Sequence, residues 1–290
     1  MDNDFNFSSY NSRADYLSNY STDLVLFCMK KPTIQILILI FFVTSIVNSQ
    51  NLTPELIADR PDVTESATII PVGFYQFETG FVYQKNKFYN GISLVEEDNI
   101  TLGTTLIRYG INDFIEFRFG GEYFLGEIKS NDIKETLSGL NGFMIGTKLQ
   151  LWKDRIITNA AILLEINLPF GNENLRPDKF EPNLILAFEQ DITHNVALGT
   201  NFGISNNSKQ NKNIFSFSSA LGMSLTERFG CFVEYYGQST KNEIPDHYFD
   251  SGITYLQKQN LQIDLSVGKG LFSENTNWFL SVGLTLRFPY

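Results

Sequence analysis

From Val72 to the end of the chain, large apolar residues alternate with small or polar ones at a period of two. That is the spacing of side chains on opposite faces of a β-strand, not the 3.6-residue repeat of a helix. The last segment is cleanest. Trp278, Leu280, Val282, Leu284, Leu286 and Phe288 share one face, and Ser281, Gly283, Thr285 and Arg287 share the other. The split recurs with Leu261, Ile263, Leu265 and Val267 against Gln262, Asp264 and Ser266, and with Val196, Leu198, Phe202 and Ile204 against Ala197, Gly199, Asn201 and Gly203. Aromatic residues make up 14% of the chain and charged residues 19%, which favours pleated, half-buried surfaces and excludes a disordered chain or a long helical bundle.

Turn-like junctions punctuate this pattern. Short ones fall at Gly110 to Asp113, Lys153 to Arg155, Asp191 to Asn195, Thr226 to Arg228 and Gln257 to Asn260. Longer ones fall near Lys85 to Asp98, Leu125 to Gly139, Pro169 to Asp178, Asn206 to Lys212, Lys241 to Asp246 and Leu271 to Asn275. The alternation predicts an all-β chain of about twelve antiparallel strands. Short turns at one end and long loops at the other are the asymmetry of an outer-membrane barrel, with short periplasmic turns and longer extracellular loops.

A soluble sandwich also alternates, but it buries its apolar face and has shorter strands. Runs such as Ile156 to Leu168 and Gly73 to Tyr83 are long enough to cross a bilayer at a tilt. Aromatics gather beside the junctions, with Phe114, Trp152 and Phe229 near short turns and Tyr83, Phe170, Phe180, Phe249 and Trp278 near longer loops. Two interfacial girdles explain that distribution. The stretch Asn99 to Tyr109 has ambiguous parity, because Leu102 and Leu106 share a face with Arg108.

The apolar run Ile34 to Val47 follows Lys30 and Lys31 and precedes Val47-Asn48-Ser49-Gln50. It reads as a secretory signal at 29–49, with cleavage between Ser49 and Gln50. Residues 1–28 are then an extension ahead of the true start at Met29, 50–71 an N-terminal periplasmic segment or small plug, and 72–290 the barrel. Cys231 is the one cysteine after the signal, so no disulfide framework forms. A net charge of −10 excludes nucleic acid as a partner.

Inward parity collects Glu78, Glu116, Arg118, Lys148, Glu165, Glu189, Glu234, Asp264 and Arg287. Two roles are open to them: ion pairs that fill a narrow lumen, or a polar constriction that selects permeants. Small inward residues, including Gly199, Gly203, Ser216, Ser218, Ala220 and Gly222, leave one sector of the wall thin. The segment Asp59 to Ser66 either tucks into the lumen or hangs as a tail. In the lumen, Asp59, Asp62 and Glu65 would meet Arg118 or Arg287, and Arg60 would meet inward glutamates. His247, with Asp250 and Ser251 nearby, and His194 are the histidines open to a lipid-cleaving barrel enzyme, but no nucleophile-elbow or zinc motif accompanies them.

Asp59-Arg60-Pro61-Asp62-Val63-Thr64-Glu65-Ser66, followed by Pro71-Val72-Gly73-Phe74-Tyr75-Gln76-Phe77-Glu78-Thr79-Gly80, resembles the opening of the phenol-degradation (meta-pathway) transporter-like family. Leu106 to Gly110 with Glu116 and Arg118, Asn167 to Gly171, and Asp250 to Tyr255 continue the likeness. The resemblance implies an outer-membrane barrel of a Gram-negative bacterium that passes small, often aromatic or hydrophobic compounds. Its partners would be the lipid bilayer, a small-molecule permeant and the outer-membrane assembly machinery, and it would need no cofactor and no metal. A barrel enzyme acting on lipid and a closed structural or adhesive barrel are the alternatives. Pro289 before the terminal Tyr290 departs from the usual closing strand of such barrels.

Overall fold

The computed structural model describes residues 54–89, 93–130, 133–153, 159–241, 243–271 and 276–289. The signal segment, Met29, Ser49 and Gln50 lie outside them. Twelve strands follow in chain order: β1 (Phe74–Tyr89), β2 (Leu94–Asn112), β3 (Ile115–Ser130), β4 (Ile133–Trp152), β5 (Asn159–Leu168), β6 (Glu181–Thr193), β7 (Val196–Asn207), β8 (Lys212–Ser224), β9 (Phe229–Thr240), β10 (Asp246–Lys258), β11 (Leu261–Leu271) and β12 (Thr276–Pro289). Each pairs antiparallel with its sequence neighbours, and β1 pairs with β12 to close a transmembrane barrel. Closure removes every open edge, which hydrocarbon demands because it cannot satisfy free backbone groups.

The two faces divide as the alternation requires. Phe202, Phe215, Val233, Ile253, Val267 and Val282 point outward and are between 44% and 54% exposed. Gln76, Glu78, Arg108, Glu116, Lys148 and Thr285 point inward and are fully buried. A continuous apolar exterior of this extent is an aggregation surface in water and a fitting one in lipid. Phe114, Trp152 and Phe229 mark the short-turn end, and Phe170, Phe180 and Phe249 the loop end, all of them exposed.

The parity of β2 settles at Gly103. Between the pairs Glu78 with Leu106 and Phe81 with Leu102, β2 carries one more residue than β1. The extra residue is a bulge, and Gly103 takes a φ of 58° there. The bulge reverses the alternation, so Leu102 faces out while Arg108 faces in.

Two of the expected long loops are strand. Residues 85–98 and 125–139 lie mostly in the hairpins β1–β2 and β3–β4, whose strands of 16, 19, 16 and 20 residues outrun the 10 of β5. Their charges suggested loops, yet they pair across the ladder: Lys85 with Asp98 at 3.1 Å, Lys87 with Glu96 at 2.5 Å, and Lys129 and Lys134 with Glu127 at 2.7 Å. Beyond the bilayer a sheet needs no apolar face, so these strands lose the greasy alternation without losing their hydrogen bonds.

Candidate functional site

Residues 54–72 run through the barrel interior and leave it where Val72 bridges Gly110 in parallel. Gly110 is required for that exit, since a Cβ there would lie 2.3 Å from the carbonyl oxygen of Ile70. The segment is held mainly by strand side chains reaching its backbone. Glu116 accepts from the Ile70 amide at 2.8 Å, and Glu78 from the Asp59 amide at 3.1 Å. Gln150 donates to the Ala67 carbonyl at 2.8 Å, and Lys148 to that of Ser66 at 2.8 Å. Ala67 packs on inward Ala161, Leu163 and Ala187, giving the segment one small apolar foothold.

An ion-pair network centres on Asp59. Arg118 donates to Asp59 at 2.6 Å, to both Glu65 oxygens at 3.0 Å and to Glu165 at 3.0 Å. Lys148 donates to both Asp59 oxygens at 2.9 Å. Arg108 reaches Asp59 at 3.0 Å, Glu78 at 3.0 Å and Glu116 at 2.8 Å. Five carboxylates thus surround three cations. Burial opposes the charge on Asp59, but Arg108, Lys148 and Arg118 outweigh it and hold the carboxyl well below the usual range. For Glu65 burial prevails over Arg118, and its carboxyl is pushed up to about 8.

Arg60 lies beside this network, among β1, β2, β11 and β12. It donates to Asp264 at 3.2 Å, Ser281 at 3.0 Å and Thr104 at 3.0 Å. Its guanidinium rests in a notch made by the cross-strand pair Gly80 and Gly283, where a Cβ on either residue would come within 2.5 Å of it. Thr64 fills the thin sector of the wall, donating to Glu234, sharing a hydrogen bond with the Ser218 hydroxyl and lying 2.9 Å from a Cβ placed on Gly199.

Three expected pairings do not form. Arg287 meets no segment carboxylate; it donates to Gln76 at 2.8 Å and to the Glu55 carbonyl at 2.7 Å. Arg60 pairs with Asp264 where glutamates were expected. Asp62 forms no ion pair with an arginine among the described residues, and burial first, then the charge of Glu234, raises its carboxyl well above the usual range. Glu189 stands at the margin, with Ser66 at 3.4 Å. The sequence does not single out the buried residues Gln76, Arg108, Gln150 and Asp250 as members of the site; Arg108 is hidden by the β2 bulge.

His247 sits on the outer wall, stacked on Tyr235 with 4° between the rings. Asp250 lies on the opposite, inner face and is 1% exposed. Ser251 shares the face of His247 but lies four residues along β10, about 13 Å at the usual strand rise. The three do not form a catalytic arrangement.

Three cavities remain around the segment. Two open toward the loop end: one of about 530 Å³ beside Glu122, Asn141 and Pro177, and one of about 460 Å³ beside Tyr236, Tyr248 and Phe279. The third, about 610 Å³, opens toward the short-turn end beside Asp62, His194 and Arg287. Arg60 lines all three, so its guanidinium and the turn that carries it form the partition between the two ends.

The barrel is similar to solved structures at low identity. An outer-membrane channel from Pseudomonas putida F1 aligns with a TM-score of 0.60 at 13% identity, covering 80% of this chain and all of that one. The translocator domain of the autotransporter NalP from Neisseria meningitidis aligns with a TM-score of 0.53 at 9% identity, covering 74% of this chain and 88% of that one. No curated protein matches the sequence. A family model does match, over residues 58–288, which takes in the lumenal segment as well as the wall, and the chain therefore belongs to the family described as "Putative MetA-pathway of phenol degradation".

Proposed function

We propose that the protein is a passive channel for small, hydrophobic or aromatic compounds across the outer membrane, with the segment Asp59 to Ser66 as its constriction. The observation that carries this reading is the set of cavities at the two ends of the lumen, two on one side and one on the other, divided by Arg60 and its turn. A structural barrel gains nothing from vestibules of several hundred cubic ångströms at both ends, whereas a solute path needs them. The family described for phenol degradation and the channel among the similar structures support the same reading. In this reading the short turns face the periplasm, residues 29–49 direct export and are cleaved after Ser49, the assembly machinery inserts the barrel, and the protein is not an enzyme.

Flux through reconstituted protein tests it. Liposomes carrying the wild type should take up a small uncharged phenolic solute faster than empty ones, and a variant lacking Asp59 to Ser66 should be faster still while remaining a folded, heat-modifiable barrel. Wild type and deletion both folded and both no faster than empty liposomes would sink the channel reading.

A further inference from the structure

The two cavities at the loop end differ in charge. The one of about 530 Å³ is lined by six carboxylates, Glu122 and Glu181 among them, against the three cations Arg60, Arg118 and Lys209. In the one of about 460 Å³, Arg60 is the sole charge among the described lining residues, and Asp264 already answers it at 3.2 Å. A charged solute entering this second cavity would shed its hydration and meet no free opposite charge, whereas an uncharged one loses little.

The walls of the neutral cavity suit a ring. Tyr236 and Tyr248 form one rung of the β9–β10 ladder, with ring centroids 5.0 Å apart and 12° between planes. On β12, Phe279 pairs with Gly268 and its ring lies over that glycine, where a Cβ would fall within 2.5 Å of two ring carbons. Gly270, the cross-strand partner of Tyr248, puts no side chain between the tyrosines and Phe279. The neutral cavity also has the thinner floor. Arg60 and Pro61 line both it and the inner cavity, with Val63 on the outer side and Asp62 on the inner. The acidic cavity shares only Arg60 with the inner one among the described residues, and Asp59, Glu65 and Arg118 of the ion-pair network line it.

We propose that the neutral cavity, and not the acidic one, is the entry subsite of the channel: it takes one uncharged planar ring between Tyr236, Tyr248 and Phe279 and passes it to the inner cavity across the turn Arg60 to Val63. Aromatic walls favour a ring over an aliphatic solute of the same size, and the amides of Gln238 and Asn277, which also line the cavity, can meet a hydroxyl or carbonyl on that ring. This deepens the channel reading and rests on it for the step across the turn.

Calorimetric titration of the detergent-folded barrel with benzyl alcohol, benzylammonium and benzoate, which share a ring and differ in charge, reads the subsite without measuring transport. Benzyl alcohol should bind the wild type more tightly than either ion. Gln238→Trp places an indole in the neutral cavity and should abolish that binding, whereas Glu122→Trp places one in the acidic cavity and should leave it unchanged. Phe279→Leu and Tyr248→Leu keep apolar bulk but remove a ring, and each should weaken benzyl alcohol about fivefold, the strength of one ring-on-ring contact. A heat-modifiable band certifies the fold of each variant. Binding that survives Gln238→Trp, binding lost in Glu122→Trp, an ion held as tightly as the alcohol, or wild-type affinity in both folded leucine variants would overturn the proposal. Phenolic flux together with any of these leaves the channel standing and removes the subsite; binding that follows the expected pattern without any flux does the reverse.

Discussion

Arg118 is 1% exposed and has Asp59, Glu65 and Glu165 within 3.0 Å. Its worth lies less in any one ion pair than in what its loss would leave. Arg118→Ala leaves Asp59 with Arg108 and Lys148 but takes the guanidinium from Glu65 and Glu165, and removal of one partner from a buried pair costs about 3 to 5 kcal/mol. Arg118→Lys restores the charge but not the planar fork that holds both Glu65 oxygens, so its loss should be intermediate. Hydrogen exchange of the amides from Asp59 to Ser66 reads the difference, with protection falling in the order wild type, lysine, alanine. Wild-type protection in Arg118→Ala would show that the backbone bonds to Glu78, Glu116 and Gln150 suffice and that the network is incidental to docking.

At the scale of the strand, what the sequence allows one to read depends on whether the pleat is undisturbed. In β11 and β12 the alternation is unbroken, and every inward and outward residue could be assigned from spacing alone. In β2 a single added residue at Gly103 reverses the faces, and no pattern local to that strand shows which half is inverted, so Arg108 could not be placed. The outer ends of β1 to β4 fail for another reason. Outside hydrocarbon the faces need not differ, so the signal is gone although the ladder continues. Contacts of the lumenal segment were the least legible, since a pairing such as Arg60 with Asp264 joins residues 204 positions apart. Face assignment itself is testable. Val282→Arg sets a charge on a 44% exposed outward position in the middle of β12, at a cost of roughly 2 to 4 kcal/mol near the bilayer midplane. Gly222→Lys extends into the inner cavity, where a Cβ would meet nothing nearer than the Ala197 carbonyl at 4.0 Å. The first should lower the yield of heat-modifiable barrel and its resistance to urea, and the second should leave both near wild type. Equal losses would mean that the lipid and lumen faces have been misassigned.

For the molecule as a whole, the docked segment and the wall form one charge system, and pH biases its closed state. Released into water, Glu65 and Asp62 would titrate near the ordinary 4.5 and 3.8; docked, Glu65 titrates at about 8 and Asp62 well above its ordinary value. Between about pH 4.5 and 8 the docked state therefore holds a proton on Glu65 that the released state has lost, and docking weakens as pH rises through that window. Asp62 acts with the same sign. Asp59 acts oppositely: its carboxyl is depressed when docked, so its contribution is complete above 3.8 and fades only as pH falls toward the lowered value. Docking is then strongest near pH 4 and loosens toward alkaline conditions, with a limiting slope of about tenfold per pH unit for each proton linked. Flux of an uncharged phenolic solute should rise between pH 6 and 9, and amide protection across Asp59 to Ser66, normalised to the free peptide at each pH, should fall. Glu65→Gln together with Asp62→Asn removes both raised carboxyls and should flatten the two curves. A wild type whose protection is constant or grows over that range would show that cation capture by Arg118 and Lys148, rather than burial, governs the charge of Glu65, and that the constriction stays shut irrespective of pH.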